Sequence, residues 1–445
     1  MTGTRSDDEV AGYPPPGASP VAPPERHLLP LTAAVGGDGR LSVGGLDVVS
    51  LAEEFGTPLF VYDEEHLRAR CREAVAAWGD GVAYATKAFL CTAMARLAHD
   101  EGMCLDVSTG GELHVALAAG VPAERLVLHG NNKSDAEMAR ALEAGVGRIV
   151  IDSFDEIERL TACVAGGRGS PARVLVRVTP GVEAHTHEFV RTGHDDTKFG
   201  FALSSGAAAA AVEAVRRIAG VDLVGLHAHI GSQVFEVSSF ERAAVILGRF
   251  FAPLGLEELC VGGGLGVAYV NGERAPSLSE WAQATRDACE QVGIGAAVRL
   301  SAEPGRAIAA TAALTLYRVG VVKDLPGIRT YVAVDGGMSD NPRPVLYGSG
   351  YEAFLPREVD ARRPRAVRVV GKHCETGDVI VADAHVPEDL AVGDVLATPV
   401  TGAYGYSMAS TYNKVPRPPV LFVADGRARV VVRGETLDDL LRLDV

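Results

Sequence analysis

The stretch CLDVSTGGELHVALAAGVPAERLVLHGNN, Cys104–Asn132, decides the fold. A short apolar strand (Cys104–Val107) runs into a polar, glycine-bearing turn. A segment of helical composition (Gly111–Ala119) and a second turn follow, and then another apolar strand, Leu126–Leu128. The same rhythm extends in both directions. Strands are expected at Val82–Tyr84, Arg148–Ile151, Arg173–Val178, Leu223–His229, Glu258–Val261 and Ala297–Ser301. Helical segments are expected at Phe89–Asp100, Asp135–Ala144 and Ser205–Ile218. Eight β-α repeats indicate an α/β fold, a (β/α)8 TIM barrel. A doubly wound open sheet fits the same periodicity, which does not count closure.

After Thr311 the rhythm changes. Leu314–Val322, Thr330–Asp335, Ala366–Val370, Val379–Ala382, Val420–Ala424 and Arg427–Arg433 are valine-rich, strand-like and separated by turn residues, which describes a second, mostly β domain. Leu41–Val43 and Leu46–Val48, before the helix-like Ser50–Glu54, are assigned to that domain too. The expected organisation is a disordered tail over 1–26, rich in Pro, Gly, Ala and Ser, then an N-terminal contribution to the β domain over 27–55. The barrel covers 56–310 and the C-terminal β domain 311–445.

Composition excludes several classes of function. With 445 residues, 47% of them hydrophobic, the chain can bury a large core. A formal charge of -15 without a basic cluster speaks against nucleic acid. No run of 18 apolar residues offers a membrane span. The tail lacks the basic start and apolar stretch of a secretory signal. Seven cysteines at irregular spacing suit a reducing, cytoplasmic setting.

In a barrel the working residues gather where strands end, and the chemistry-bearing residues fall there. Strand one ends in Tyr84-Ala85-Thr86-Lys87, strand two in Asp106 and Ser108–Glu112, strand three in His129–Lys133. Strand six ends in His227–Gln233, strand seven in Gly262–Gly266 and strand eight in Glu303–Arg306. Lys87 is either a solvated lysine past a strand or an amine able to form an imine. The glycine run offers backbone N–H groups to a phosphate, and without a Lys-Ser/Thr ending it does not read as a nucleotide loop. Arg306 suits a phosphate or carboxylate. Glu303 either pairs with Arg306 or keeps a cofactor ring nitrogen protonated. His227 and His229 share strand parity, and with Asp106 or Glu303 they supply the donor types of a metal site. Their glycine and hydroxyl neighbours favour a phosphate cup, so no metal is expected. His185, His187 and His194 lie in a long polar link and need no role beyond it. In the β domain, Cys374 stands beside Glu375 in a polar turn. Gly402–Met408 brings Tyr404 into a glycine loop, and Arg343 and Tyr347 follow the polar run Asp335–Asp340.

Taken together, YATKA (Tyr84–Ala88), DVSTGGEL (Asp106–Leu113), TGHDDTKFGF (Thr192–Phe201), HAHIGSQ (His227–Gln233), GGGLG (Gly262–Gly266), EPGR (Glu303–Arg306), VDGGMSDNPRP (Val334–Pro344), CETGD (Cys374–Asp378) and GAYGYSMAS (Gly402–Ser410) are specific. From about Leu28 onward the chain resembles the fold-type III pyridoxal-phosphate-dependent decarboxylases, whose barrel is like that of alanine racemase. Within them it is most similar to the branch acting on meso-2,6-diaminopimelate. The resemblance implies that Lys87 carries pyridoxal 5'-phosphate as a Schiff base, that His229 packs on the cofactor face and that Glu303 meets the pyridine nitrogen. Asp106, Ser232, Gly264, Gly305, Arg306 and Tyr404 complete the cofactor-binding set. Arg306, Arg343, Tyr347, Glu375 and Tyr404 hold the substrate, Arg343 and Glu375 reading its distal amino-acid head. Cys374 replaces the departing carboxyl group with a proton. The family's homodimer builds each active site from both chains. The implied reaction yields L-lysine and carbon dioxide, the last step of lysine biosynthesis. The alternative is decarboxylation of ornithine, arginine or carboxynorspermidine on the same fold. A racemase is disfavoured because Glu303, not an arginine, stands at the ring-nitrogen position.

Overall fold

A computed structural model of the chain describes residues 22–167, 171–182 and 197–445. His185, His187 and His194, and the start of the Thr192–Phe201 motif, lie outside the described residues.

One compact unit comprises Arg68–Val267 and Ala275–Ile308. Its parallel strands are Ala83–Ala85, Cys104–Val107, Leu126–Leu128, Arg148–Ile151, Ala172–Thr179, Val221–His227, Glu258–Cys260 and Arg299–Ser301, paired in chain order. The first and last meet as well. The Ala83 N–H donates to the Ala302 carbonyl at 2.9 Å and the Ala85 N–H to that of Pro304 at 3.2 Å. The sheet therefore closes into a barrel, and the open-sheet alternative falls.

Turns after the strands are short because the caps of the next helix are supplied at once. Thr109 accepts the Glu112 N–H ahead of Gly110–Ala118, and Ser153 accepts that of Glu156 ahead of Phe154–Ala165. Ser134 and Glu137 form a reciprocal capping box on Asp135–Ala144. Strand six carries a register shift between Leu223 and Gly225. Gly225 is required there, since a Cβ would come within 2.0 Å of the Glu258 carbonyl oxygen. Strand six ends at His227, two residues earlier than expected, so His229 lies beyond it and strand parity does not tie the two rings together.

Inside the barrel, Ala83, Cys104, Val127, Val150, Leu175, Val224 and Cys260 form one apolar cluster. Because side chains alternate, residues two positions further along face the same way. Those are Asp106, His129, Asp152 and Arg177, all buried, with Glu303 two past the buried Ser301. A polar tier thus caps an apolar one. At the opposite, N-terminal end, Arg148 Nε donates to Glu258 Oε2 at 2.7 Å and Ser301 Oγ to Glu258 Oε1 at 3.0 Å. Arg299 adds a third contact to that carboxylate at 3.6 Å.

Among the described residues, the second unit comprises 22–67, 268–274 and 309–445. Its sheet runs in the order Val379–Val386, Arg365–Val370, Arg329–Val334, Ala313–Leu325, Leu59–Asp63, Val420–Ala424, Arg427–Val432, and Val395–Pro399 also pairs with Ala313–Leu325. Leu41, Val43, Leu51, Leu59, Leu314, Phe354 and Leu421 share its core. The expected start of the barrel at residue 56 is therefore too early. Leu59–Asp63 reads as an apolar strand like any barrel strand, but it is hydrogen-bonded between Ala313–Leu316 and Val420–Val423. The tail also ends earlier than residue 26: the Glu25 N–H bonds to Asn271, and Arg363 Nε donates to the Ala22 carbonyl at 2.7 Å.

Candidate active site

The polar tier of the barrel centres on Glu303. Its Oε1 accepts His129 Nε2–H at 2.8 Å, and its Oε2 accepts His227 Nε2–H at 2.9 Å. The two imidazoles meet edge to face, with centroids 4.8 Å apart. Burial opposes ionisation of Glu303, but the two histidines outweigh it and hold the carboxyl well below the usual carboxylate range. Burial pushes Asp106 the other way, up to about 6, against the attraction of His129. Asp106 Oδ1 is buried without a hydrogen-bond partner among the described residues, 3.7 Å from His129 Nε2. Burial depresses His129 less than Asp106 and Glu303 raise it, whereas His227 is pulled down to about 4.

The pairing of Glu303 with Arg306, the simpler of the two expectations, does not form. Arg306 Nη2 instead donates to Ser232 Oγ at 2.9 Å. His229 accepts the Gly263 N–H on Nδ1 at 3.1 Å, and burial followed by the positive charges of Lys87 and Arg177 keeps its ring neutral. Gly264 has φ +116, and a Cβ there would stand 2.2 Å from the Gly231 carbonyl oxygen, so at this point the loops after strands six and seven meet backbone to backbone. Gly305 is also tightly placed, since a Cβ there would stand 2.9 Å from Ala85. Lys87 is exposed between buried Thr86 and Ala88, and its charge bears on Asp106, Glu112 and His229. The structure thus brings Lys87, Asp106, His229, Ser232, Gly264, Glu303, Gly305 and Arg306 to one end of the barrel. Among the described residues, the metal-type set is His129, His227 and Glu303, whose ligand atoms lie within 4.8 Å of one another, not the pair His227 and His229.

In the β unit, Arg343 opens the helix Arg343–Tyr347, with Tyr347 half-buried at its far end. The buried guanidinium lies 4.4 Å over the Tyr269 ring and donates Nη1–H to the Tyr351 hydroxyl at 2.7 Å. Burial works against that cation, but Tyr269 and Tyr351 outweigh it and keep it charged. Tyr404 sits at φ +60 in its glycine loop and contributes to the same field. Cys374 and Glu375 are exposed on a turn that is itself well anchored. The Cys374 N–H reaches Asn413 Oδ1 at 3.3 Å, Tyr412 donates its hydroxyl to Glu375 at 3.2 Å, and Asp378 accepts the N–H groups of His373 at 2.8 Å and Met338 at 2.6 Å.

Sequence reasoning gave no role to His129, Tyr269 or Tyr351. His129 was within reach, two positions along the strand from inward-facing Val127 and so level with Asp106. Tyr269 and Tyr351 are far apart in the chain and carry no pattern that joins them to Arg343.

Residues 64–310 match the family model described as the pyridoxal-dependent decarboxylase, pyridoxal binding domain. The chain is 50% identical over 426 residues to the diaminopimelate decarboxylase of Mycobacterium tuberculosis, covering 92% of this chain and 95% of the relative. It is 43% identical to that of Bacillus subtilis, with the same coverage. Among solved structures it resembles the diaminopimelate decarboxylase of M. jannaschii in complex with L-lysine, at TM-score 0.86 and 31% identity, covering 93% and 98% of the two chains. The Helicobacter pylori enzyme, also complexed with L-lysine, matches at TM-score 0.81 and 30% identity, covering 89% and 99%.

Proposed function

This chain belongs to the pyridoxal-dependent decarboxylases, and within them to the diaminopimelate decarboxylases; on that footing we propose that it converts meso-2,6-diaminopimelate, at its D-configured centre, to L-lysine and carbon dioxide through the residues described above. It is a carboxy-lyase of lysine biosynthesis with pyridoxal phosphate as cofactor.

The donor set at the barrel's end fits that cofactor. Glu303 offers an anion for a protonated ring nitrogen, and Arg306 with Ser232 offers a cation and a hydroxyl for a phosphate. The glycine turns at Gly231 and Gly264 leave backbone rather than side chains at that edge. Bound there, the cofactor supplies an electron sink for the pair left on the α-carbon when carbon dioxide departs. Lys87 would hold its aldehyde carbon, and the neutral His229 ring would lie on its face. Asp106 completes the acidic side of the tier.

The rest of the chemistry falls to the β domain. Arg343, kept charged and fixed between two tyrosines, binds the distal carboxylate. Glu375 accepts the distal ammonium, while Tyr347 and Tyr404 flank the substrate and Arg306 adds a second cation. The Cys374 thiol delivers the proton that replaces the lost carboxyl group. Its exposure supports a homodimer in which Cys374 and Glu375 serve the partner subunit's barrel. Among the described residues no helix is long and apolar enough to cross a membrane. All seven cysteines are free, which supports a cytoplasmic setting.

The observation that carries this reading is the anionic Glu303 at the closed barrel's end. The test offers purified enzyme meso-diaminopimelate, ornithine and arginine and measures carbon dioxide. Preferential release from meso-diaminopimelate is expected, and predominant turnover of ornithine or arginine overturns the substrate assignment.

A further inference from the structure

We propose that His129 and His227 are positioning residues for Glu303, their two Nε2–H groups holding both carboxylate oxygens so that the proton between Glu303 and the cofactor's ring nitrogen stays on the nitrogen. The inference rests on the reading of Glu303 as the ring nitrogen's partner.

The geometry is that of a clasp. One histidine directly follows strand three and the other ends strand six, and each takes a different oxygen, at 2.8 and 2.9 Å. The edge-to-face contact at 4.8 Å braces the two rings against each other. All three side chains are buried, so water does not substitute for either donor. A carboxylate oxygen has two lone pairs. Each histidine uses one, leaving capacity for a third donor from the cofactor.

Two hydrogen bonds to the anion lower its proton affinity. An acid already satisfied in this way does not compete with a pyridine for the shared proton. The two histidines also differ. His129 stands between Glu303 and Asp106, whose charges favour its protonated form, so it offsets the negative charge of the tier. His227 is neutral at physiological pH and acts as a donor only. Arg177, Lys87 and Glu112 also bear on this group by their charge.

The test separates donation from packing, because leucine fills a similar volume without a donor and glutamine keeps an N–H. In cofactor-free protein carrying 13C-labelled glutamate, His129→Leu should raise the proton affinity of Glu303 about tenfold, one unit of pKa. His129→Gln should restore most of it, and His227→Leu should act in the same direction. In enzyme reconstituted with ring-15N cofactor, the nitrogen should lose its proton in the leucine variants and keep it in the glutamine variant, with kcat falling and KM unchanged. Should the leucine variants not fold, His129→Asn, which sets its amide short of the carboxylate, gives the same reading. An unchanged Glu303 titration in His129→Leu or His129→Asn overturns the proposal. A changed titration with an indifferent ring nitrogen overturns it too. If Glu303→Gln then leaves the nitrogen equally unaffected, the partner assignment of Glu303 is what has failed.

Discussion

The two ends of the barrel handle buried charge in opposite ways. At the N-terminal end Glu258 is matched by Arg148, Arg299 and Ser301, with each carboxylate oxygen hydrogen-bonded. At the C-terminal end Glu303 and Asp106 share the polar tier with His129, His227 and the buried Arg177, and both Asp106 Oδ1 and His227 Nδ1 are left without hydrogen-bond partners among the described residues. Buried atoms left in that condition cost stability. The first arrangement closes a fold; the second leaves bonding capacity for a ligand. Active sites tend to store such imbalance, and structural ion pairs do not.

Four substitutions test this division, taken from the largest expected effect to the smallest. Lys87→Ala should reduce turnover at least about a thousandfold, some 4 kcal/mol. The exposed side chain should leave the denaturation midpoint nearly unmoved, and borohydride should no longer trap cofactor on its peptide. Glu258→Gln should do the reverse. It strands Arg148 inside the barrel and should cost about 3 kcal/mol in urea unfolding, while activity per folded molecule stays within about twofold of normal. Loss of activity without loss of stability there would erase the distinction between the ends. Glu303→Gln should lower kcat about a hundredfold, with a smaller effect on unfolding.

The smallest effect concerns pH. Asp106, ordinarily near 3.8, titrates at about 6 in the folded chain, so the folded state binds that proton more tightly. Its contribution is fully present below the unfolded value and is lost as pH rises from about 4 to 6. His227 runs the other way, because its value falls from 6.5 to about 4 and protonation favours the unfolded chain as pH drops. Asp106→Asn removes the first trend and leaves the second. Stability of the variant should therefore climb more steeply than that of the parent between pH 4 and 6, by about 2 kcal/mol. Parallel curves would place Asp106 outside the coupled group.

Much of the barrel was legible because each repeat carries its own signal. Cys104–Val107, Leu126–Leu128 and Arg148–Ile151 fall where the apolar runs predicted, since three- and four-residue strands flanked by caps leave little room for drift. Closure was not legible, because it rests on backbone bonds from Ala83 and Ala85 to carbonyls past the last strand. Strand six was misplaced by two residues because a register shift at Val224 breaks its alternation. Lys87, Glu303, Arg306 and the glycine turns could be named one by one from strand ends. Their actual pairings, Glu303 with two histidines and Arg306 with Ser232, depend on positions around the ring that a linear pattern does not encode. Leu59–Asp63 failed for a related reason. Its composition is that of a buried strand, and composition does not name a partner.

That last strand has a consequence for how the polypeptide is made. Leu59–Asp63 leaves the ribosome before any part of the barrel, yet one of its hydrogen-bonded neighbours, Val420–Ala424, is synthesised only after the whole barrel. An apolar β-edge must therefore wait through translation of the entire barrel for its mate. Such edges invite intermolecular pairing, so premature termination before Val420 should yield insoluble nascent chains rather than a smaller working protein.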